Sequence, residues 1–172
     1  MDFQFEKRNT LLAFGIGILV LLPFFLIFMP GYLAEYLYLY NNKKIMFVLL
    51  PRGTLLLYAV SFLCMSGAFI ILGLWKNKKS AIISLALFFI SLAIFFHASQ
   101  AHISIGFDGI NYREVLSFAE KEYTWEDIDK VYRYDGYFNE DSFNGYEILF
   151  RDGAVLKIKD GHDFNRARGM FL

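Results

Sequence analysis

The chain has 172 residues, of which 56% are hydrophobic and 20 are Phe, and its formal net charge is zero. A soluble domain of this size has too little interior to hide so much apolar surface, so lipid is the expected solvent for part of it. The neutral total conceals +5 over residues 1–101 and −5 over residues 102–172, and an acidic C-terminal part lacks the basic surplus that holding a nucleic-acid backbone requires.

Residues 11–29, 54–74 and 80–101 contain no Asp, Glu, Lys or Arg. An apolar helix of about 20 residues covers roughly 30 Å, the thickness of a bilayer's hydrocarbon core. The pattern predicts spans at about 11–30, 54–74 and 80–100, which makes 1–101 a transmembrane helical region. Lys7 and Arg8 precede the first run as they would in a signal peptide. That run, however, ends in Met29-Pro30-Gly31 with no small-residue cleavage site, so it reads as a retained span. Pro23 predicts a kink, because proline supplies no backbone donor. Gly15 and Gly17 reduce bulk near the start of this helix without forming a G-x-x-x-G pairing motif.

In residues 31–40, Tyr32, Tyr36 and Tyr40 recur at helical spacing and suit a headgroup-level extension of helix one. Residues 45–50, IMFVLL, are too short to span and read as an interfacial or re-entrant piece before Pro51-Arg52-Gly53. A fourth span across 31–50 would bury Glu35, Lys43 and Lys44, which disfavours it. In helix two, Ser61, Ser66, Gly67 and Gly73 either let another helix approach or are ordinary variation in an apolar segment. Trp75 followed by Lys76, Lys78 and Lys79 marks a membrane boundary, and so short a loop predicts an antiparallel hairpin of helices two and three. Counting basic residues gives five on the N-terminal side against four on the other, a narrow preference for an external tail.

The tail, 102–172, is expected to be a small, mainly antiparallel extramembrane β domain of four to six strands. Residues 102–107 alternate, Asp108-Gly109 is a hairpin turn, and 110–113 resume the strand. Asp152-Gly153 likewise separates 146–151 from 154–159, where Val155, Leu156 and Ile158 supply an apolar face. Thr124 and Asp127 have capping-box spacing, which places Trp125 and Ile128 against the sheet and Glu126 outside. Trp125 is expected to close the β core. Val131, Tyr132 and Tyr134 suggest another strand, residues 139–145 a loop, and 163–172 a short terminal helix or loose tail.

The strand ending in Asp108-Gly109-Ile110, the segment Tyr123-Thr124-Trp125-Glu126-Asp127-Ile128 and the turn at Phe150-Arg151-Asp152-Gly153 resemble a bacterial family of membrane-attached pleckstrin-homology-like proteins over about residues 101–160. The resemblance implies a curved β domain following the spans, commonly on the cytoplasmic side, so the side of the tail stays unresolved, with the cytoplasmic side slightly preferred on the resemblance. Such a fold normally finishes with a substantial closing helix, for which little chain remains after Lys159. Phosphoinositide binding is not implied, since no basic cluster lies between the early strands.

Residues that could carry chemistry are sparse. Cys64 is the one cysteine, so neither an intrachain disulfide nor a Cys-based zinc site can form. His97 and His102 flank the membrane boundary five residues apart, and interfacial hydrogen bonding or simple solvent exposure is expected of them in preference to a metal. His162-Asp163 are adjacent, and neighbours on a strand point apart. Glu120, Glu122, Glu126, Asp127 and Asp129 read as a solvated strip plus a helix cap, and 139–144, NEDSFN, lacks calcium-loop spacing. There is no phosphate loop, HExxH or GxSxG motif, and no acidic residue deep in a span. The expectation is a multi-pass cell-membrane protein that is not an enzyme, with no catalytic, cofactor-binding or metal residues. Its leading role is a membrane-tethered protein-interaction module, regulatory or protective at the cell envelope, with membrane lipid and another membrane or envelope protein as partners. The alternative is an accessory subunit of a transporter or membrane enzyme, held by its helices.

Overall fold

The computed structural model describes residues 2–40, 44–51, 53–75, 77–134 and 145–159, and their side chains apart from those of 2–7 and 159. The chain divides into two compact units, Met1–Leu33 with Arg52–Ala101, and Ala34–Pro51 with His102–Leu172.

The first unit contains α1 (Asp2–Ala34), α2 (Thr54–Leu74) and α3 (Lys78–Gln100). All three are long and apolar enough to cross a membrane, which indicates a multi-pass membrane protein. α1 continues through Pro23 and Pro30, and a π turn at Glu35–Leu39 follows it, so helical structure runs on into residues 31–40, the stretch expected to extend helix one. The small residues of this unit divide cleanly by role. Ser66 Oγ donates to Gly15 O at 2.7 Å, while Ser61 and Ser91 each donate to the other's carbonyl at 2.9 Å. A Cβ on Gly15 would lie 2.7 Å from Ile70 Cγ1, and one on Gly73 would lie 2.7 Å from Leu12 Cγ. Gly17 and Gly67 have nothing within 4 Å. Ser61, Ser66 and Gly73 are therefore helix-approach positions, and Gly67 is not.

The second unit holds two antiparallel sheets. One is ordered β1 (Ile45–Leu49), β2 (His102–Gly106), β3 (Gly109–Arg113), β4 (Lys121–Thr124). The other is ordered β5 (Ile128–Tyr134), β6 (Gly145–Phe150), β7 (Val155–Lys159). Both Asp-Gly hairpins form as expected, with Ile105 opposite Ile110 and Leu149 opposite Val155. A side chain at Gly109 would collide with Tyr123 O, so the close approach of β4 requires glycine there. Gly153 takes φ 85°, a turn conformation that glycine adopts without a Cβ penalty. The capping box also forms: Thr124 N and Oγ1 both donate to Asp127 Oδ2, at 2.8 and 2.7 Å.

One expectation fails at residues 45–50, which are neither a re-entrant piece nor part of a fourth span. Ile45–Leu49 is a strand paired with β2, Leu49 lying opposite Ile103 and Phe47 opposite Ile105. The physical reason is local. A short apolar run bounded by lysine and Pro-Arg-Gly is an edge-strand pattern as much as an interfacial one, and length alone separates neither from the other. The β unit is thus built from two stretches of chain, 34–51 and 102 onward, with the α2–α3 hairpin inserted between β1 and β2. Two crossings return the chain to the side it left, so three spans are consistent with the β1–β2 pairing.

Ile103, Ile110, Tyr112, Ile148, Phe150 and Leu156 are among the buried residues of a single core between the sheets. Tyr123 stacks on Phe150 with ring centroids 3.8 Å apart, and Tyr112 stacks on Tyr123 at 6.0 Å. Alternation places Leu156 and Ile158 inward and leaves Val155 exposed, so only two of the three residues expected on that face lie inside. The segments 139–145 and 163–172, apart from Gly145 at the start of β6, lie outside the described residues, as does His162.

Candidate functional site

Beyond Ile148 the core opens into a cleft of ≈ 420 Å³ within the β unit. Phe47, Ile105 and Ile110 form one wall from the first sheet, and Val131, Ile148 and Ile158 form the other from the second. Each wall arises from the two-residue period of a strand, which sends alternate side chains inward. Met46, Phe107, Trp125 and Tyr146 also line it. The volume lies within the range of small-ligand sites, yet the lining offers no carboxylate, imidazole, thiol or amine. Such a cleft can gain free energy by taking apolar groups out of water, roughly 25 cal/mol per Å² buried.

Trp125 has a different position from the one expected of it. It is 46% exposed, and its Nε1 donates to Phe107 O at 2.8 Å. It lines the cleft instead of plugging the core, because the single 3-10 turn Trp125–Asp127 lies at the junction where β4 hands over to β5. Ile128 does pack against the core, and Glu126 faces out as expected.

The polar residues around the core act as joints. Tyr123 Oη donates to Asp152 Oδ2 at 2.6 Å, linking β4 to the β6–β7 turn. That bond holds the Asp152 carboxyl below its ordinary pKa and raises the Tyr123 hydroxyl. Asp127 is likewise lowered by the two bonds it accepts from Thr124. Its backbone carbonyl accepts from Arg151 N at 2.9 Å, which extends the β5–β6 pairing one step beyond Ile128 and Phe150. Lys44 and Asp108 pair at 2.7 Å at the surface, which raises the lysine through the hydrogen bond.

The two boundary histidines have separate places. His97 is half-buried on α3, whereas His102 is 2% exposed at the start of β2. His102 stacks on Tyr38 with centroids 3.7 Å apart, and its Nε2 lies 3.2 Å from Glu120 Oε1. No group of three or more His, Cys, Asp or Glu that could hold a metal occurs among the described residues. Of the acidic strip, Glu122, Glu126 and Asp129 are exposed, while Asp127 is the cap and Glu120 the neighbour of His102.

The cleft was hidden from sequence reasoning because Met46 and Phe47, which line it, lie in the segment read as membrane-associated. The available signal was the punctuation on both sides of that run. No protein-family model, curated protein or solved structure matches the chain.

Proposed function

We propose that the protein is a membrane-tethered interaction module in which three spans hold a β unit whose cleft takes an extended apolar segment of another membrane or envelope protein. The observation that carries this reading is the apolar cleft itself, together with the strand on its margin. Val131 lines the cleft from β5, and β5 is the outer strand of its sheet, paired with β6 alone among the described residues. An outer strand can accept a further strand along its outward edge, and the alternate side chains of that added strand would point into the cleft. A lipid chain would use the cavity but not the strand edge. Tethering raises the effective concentration of the module towards partners in the same membrane, so weak contact is sufficient. Regulation or protection of an envelope system by non-catalytic binding fits this arrangement. The pleckstrin-homology-like reading belongs to the same proposal, supported by two antiparallel sheets around one core.

The test is photo-crosslinking from single positions of the full chain in native membranes, with adducts mapped by mass spectrometry. A crosslinker at Val131 should give a reproducible protein adduct, and one at Phe89 on α3 should give lipid. Protein adducts from Phe89 with none from Val131 would favour the accessory-subunit reading. Lipid or water products at both positions would sink both readings.

A further inference from the structure

The loop between β3 and β4 presents large apolar side chains outward. Leu116 is 82% exposed and Phe118 is 85% exposed, more than Ile27 at 72% on the apolar face of α1. The loop is nonetheless well tied. Ser117 N donates to Glu114 O at 3.0 Å, and Arg113 Nε donates to Ser117 O at 3.0 Å. Ser117 Oγ donates to Ala119 O at 3.0 Å and accepts from Ala119 N at 3.1 Å. Polar groups are thus turned back into the loop while Leu116 and Phe118 keep most of their surface exposed. In water that arrangement costs free energy, and exposed apolar clusters of this kind mark interaction surfaces.

Strand register identifies the end of the sheet at which this loop lies. Arg113 pairs with His102, and Lys121 pairs with Tyr112, so 114–120 leaves and re-enters at the His102 end. The chain reaches this same end from all three helices. α3 ends at Gln100 and β2 begins at His102, with Ala101 between them. β1 ends at Leu49, opposite Ile103, and α2 begins at Thr54. Tyr38, in the π turn that continues α1, stacks on His102.

We infer that Leu116 and Phe118 insert into the acyl boundary of the bilayer, making the β3–β4 loop a membrane-contacting element of the β unit. The occupant is the lipid surface, because the sheet end carrying the loop is the one to which the spans are joined by the shortest stretches of chain. Amphipathic elements lying in the interface bury such side chains at the level between headgroups and acyl chains. Glu114 and Glu120 within the loop offset Arg113 and Lys121 at its ends, so the contact is apolar and independent of anionic headgroups. The inference rests on the spans and on this loop, and it stands apart from the cleft.

The experiment uses the full chain with Cys64→Ser, spin-labelled at a single cysteine replacing Leu116 or Phe118, in phosphatidylcholine vesicles. Both side chains are so exposed that labelling them leaves the core untouched. Collisional relaxation by oxygen and by a water-soluble nickel complex reports the surroundings of each label. The expected oxygen-to-nickel ratio at 116 and 118 is several-fold above that of a label at Asp129 and approaches that of a label at Ile27. Adding phosphatidylserine should leave it unchanged. Nickel accessibility equal to that at Asp129 would overturn the inference. Protection from both reagents would also overturn it, by showing that protein covers the loop. A water-exposed label at Ile27 would remove the span assignment and the inference together.

Discussion

In the helical unit small residues join the helices through hydroxyl-to-carbonyl bonds, beside ring contacts such as Tyr58 with Phe95, whereas the β core sets stacked rings among isoleucines. Gly15, Ser61, Ser66, Gly73 and Ser91 let backbones come near enough for hydroxyl-to-carbonyl bonds. Tyr112, Tyr123 and Phe150 stack between the sheets. The solvent explains the contrast. Against lipid, apolar side chains gain little by leaving their surroundings, so close packing and interhelical hydrogen bonds must supply the cohesion. Against water, removal of large apolar surface dominates.

The change that breaks this contrast most sharply is Phe150→Ala. Phe150 is 1% exposed and stacked on Tyr123, so truncation should cost the β unit about 3–5 kcal/mol. Near-ultraviolet circular dichroism during denaturant unfolding of the full chain should show the loss, with helical signal retained over the same range. Simultaneous loss of both signals would mean that the two units do not unfold separately. The matching change in the helical unit is Gly15→Leu. It places atoms against Ile70 and Ser66 and should cost about 1–3 kcal/mol through overpacking. In an SDS titration followed by helicity, its midpoint should fall, while Gly17→Leu, with open space around it, should match the wild type. A smaller effect is expected from Trp125→Ala. A buried tryptophan would give a loss comparable with that of Phe150, but a half-exposed one holding a single hydrogen bond should give about 1–2 kcal/mol. A loss as large as that of Phe150→Ala would restore Trp125 to the core.

What could be read in advance follows from the range over which each signal acts. Charge-free runs of span length and Asp-Gly turns are local, and they fixed the three helices and the two hairpins. The cap at Thr124 and Asp127 is also local, requiring only residues three apart. The β1–β2 pairing is not local, since two helices separate its strands in the chain. An apolar pentapeptide such as 45–49 satisfies lipid and sheet equally, and only its distant partner decides between them. The cleft inherits that ambiguity, because Met46 and Phe47 belong to it. The exposed pair Leu116 and Phe118 was visible as residues but not as a feature, for exposure depends on how the loop folds back on Ser117.

Acid should act on one unit alone and by the smallest amount of these changes. Asp127 and Asp152 lie at joints between the sheets, and both have pKa values lowered from the usual 3.8 by the hydrogen bonds they accept from Thr124 and Tyr123. A carboxyl whose folded pKa lies below its unfolded one contributes stability that is complete above the unfolded pKa. That contribution is lost as pH falls through the folded value. Denaturant midpoints of the β unit should therefore decline below about pH 4, and Asp127→Asn with Asp152→Asn should flatten part of that decline. Both carboxyls are open to solvent, so the change is modest and screened by salt. The helical unit provides the internal control, since its apolar runs carry no Asp or Glu and its contacts are hydroxyls on carbonyls. If acid shifts the helical midpoint equally, the unfolding of the two units is coupled. If the double variant keeps the full decline, other carboxylates hold the sheets together.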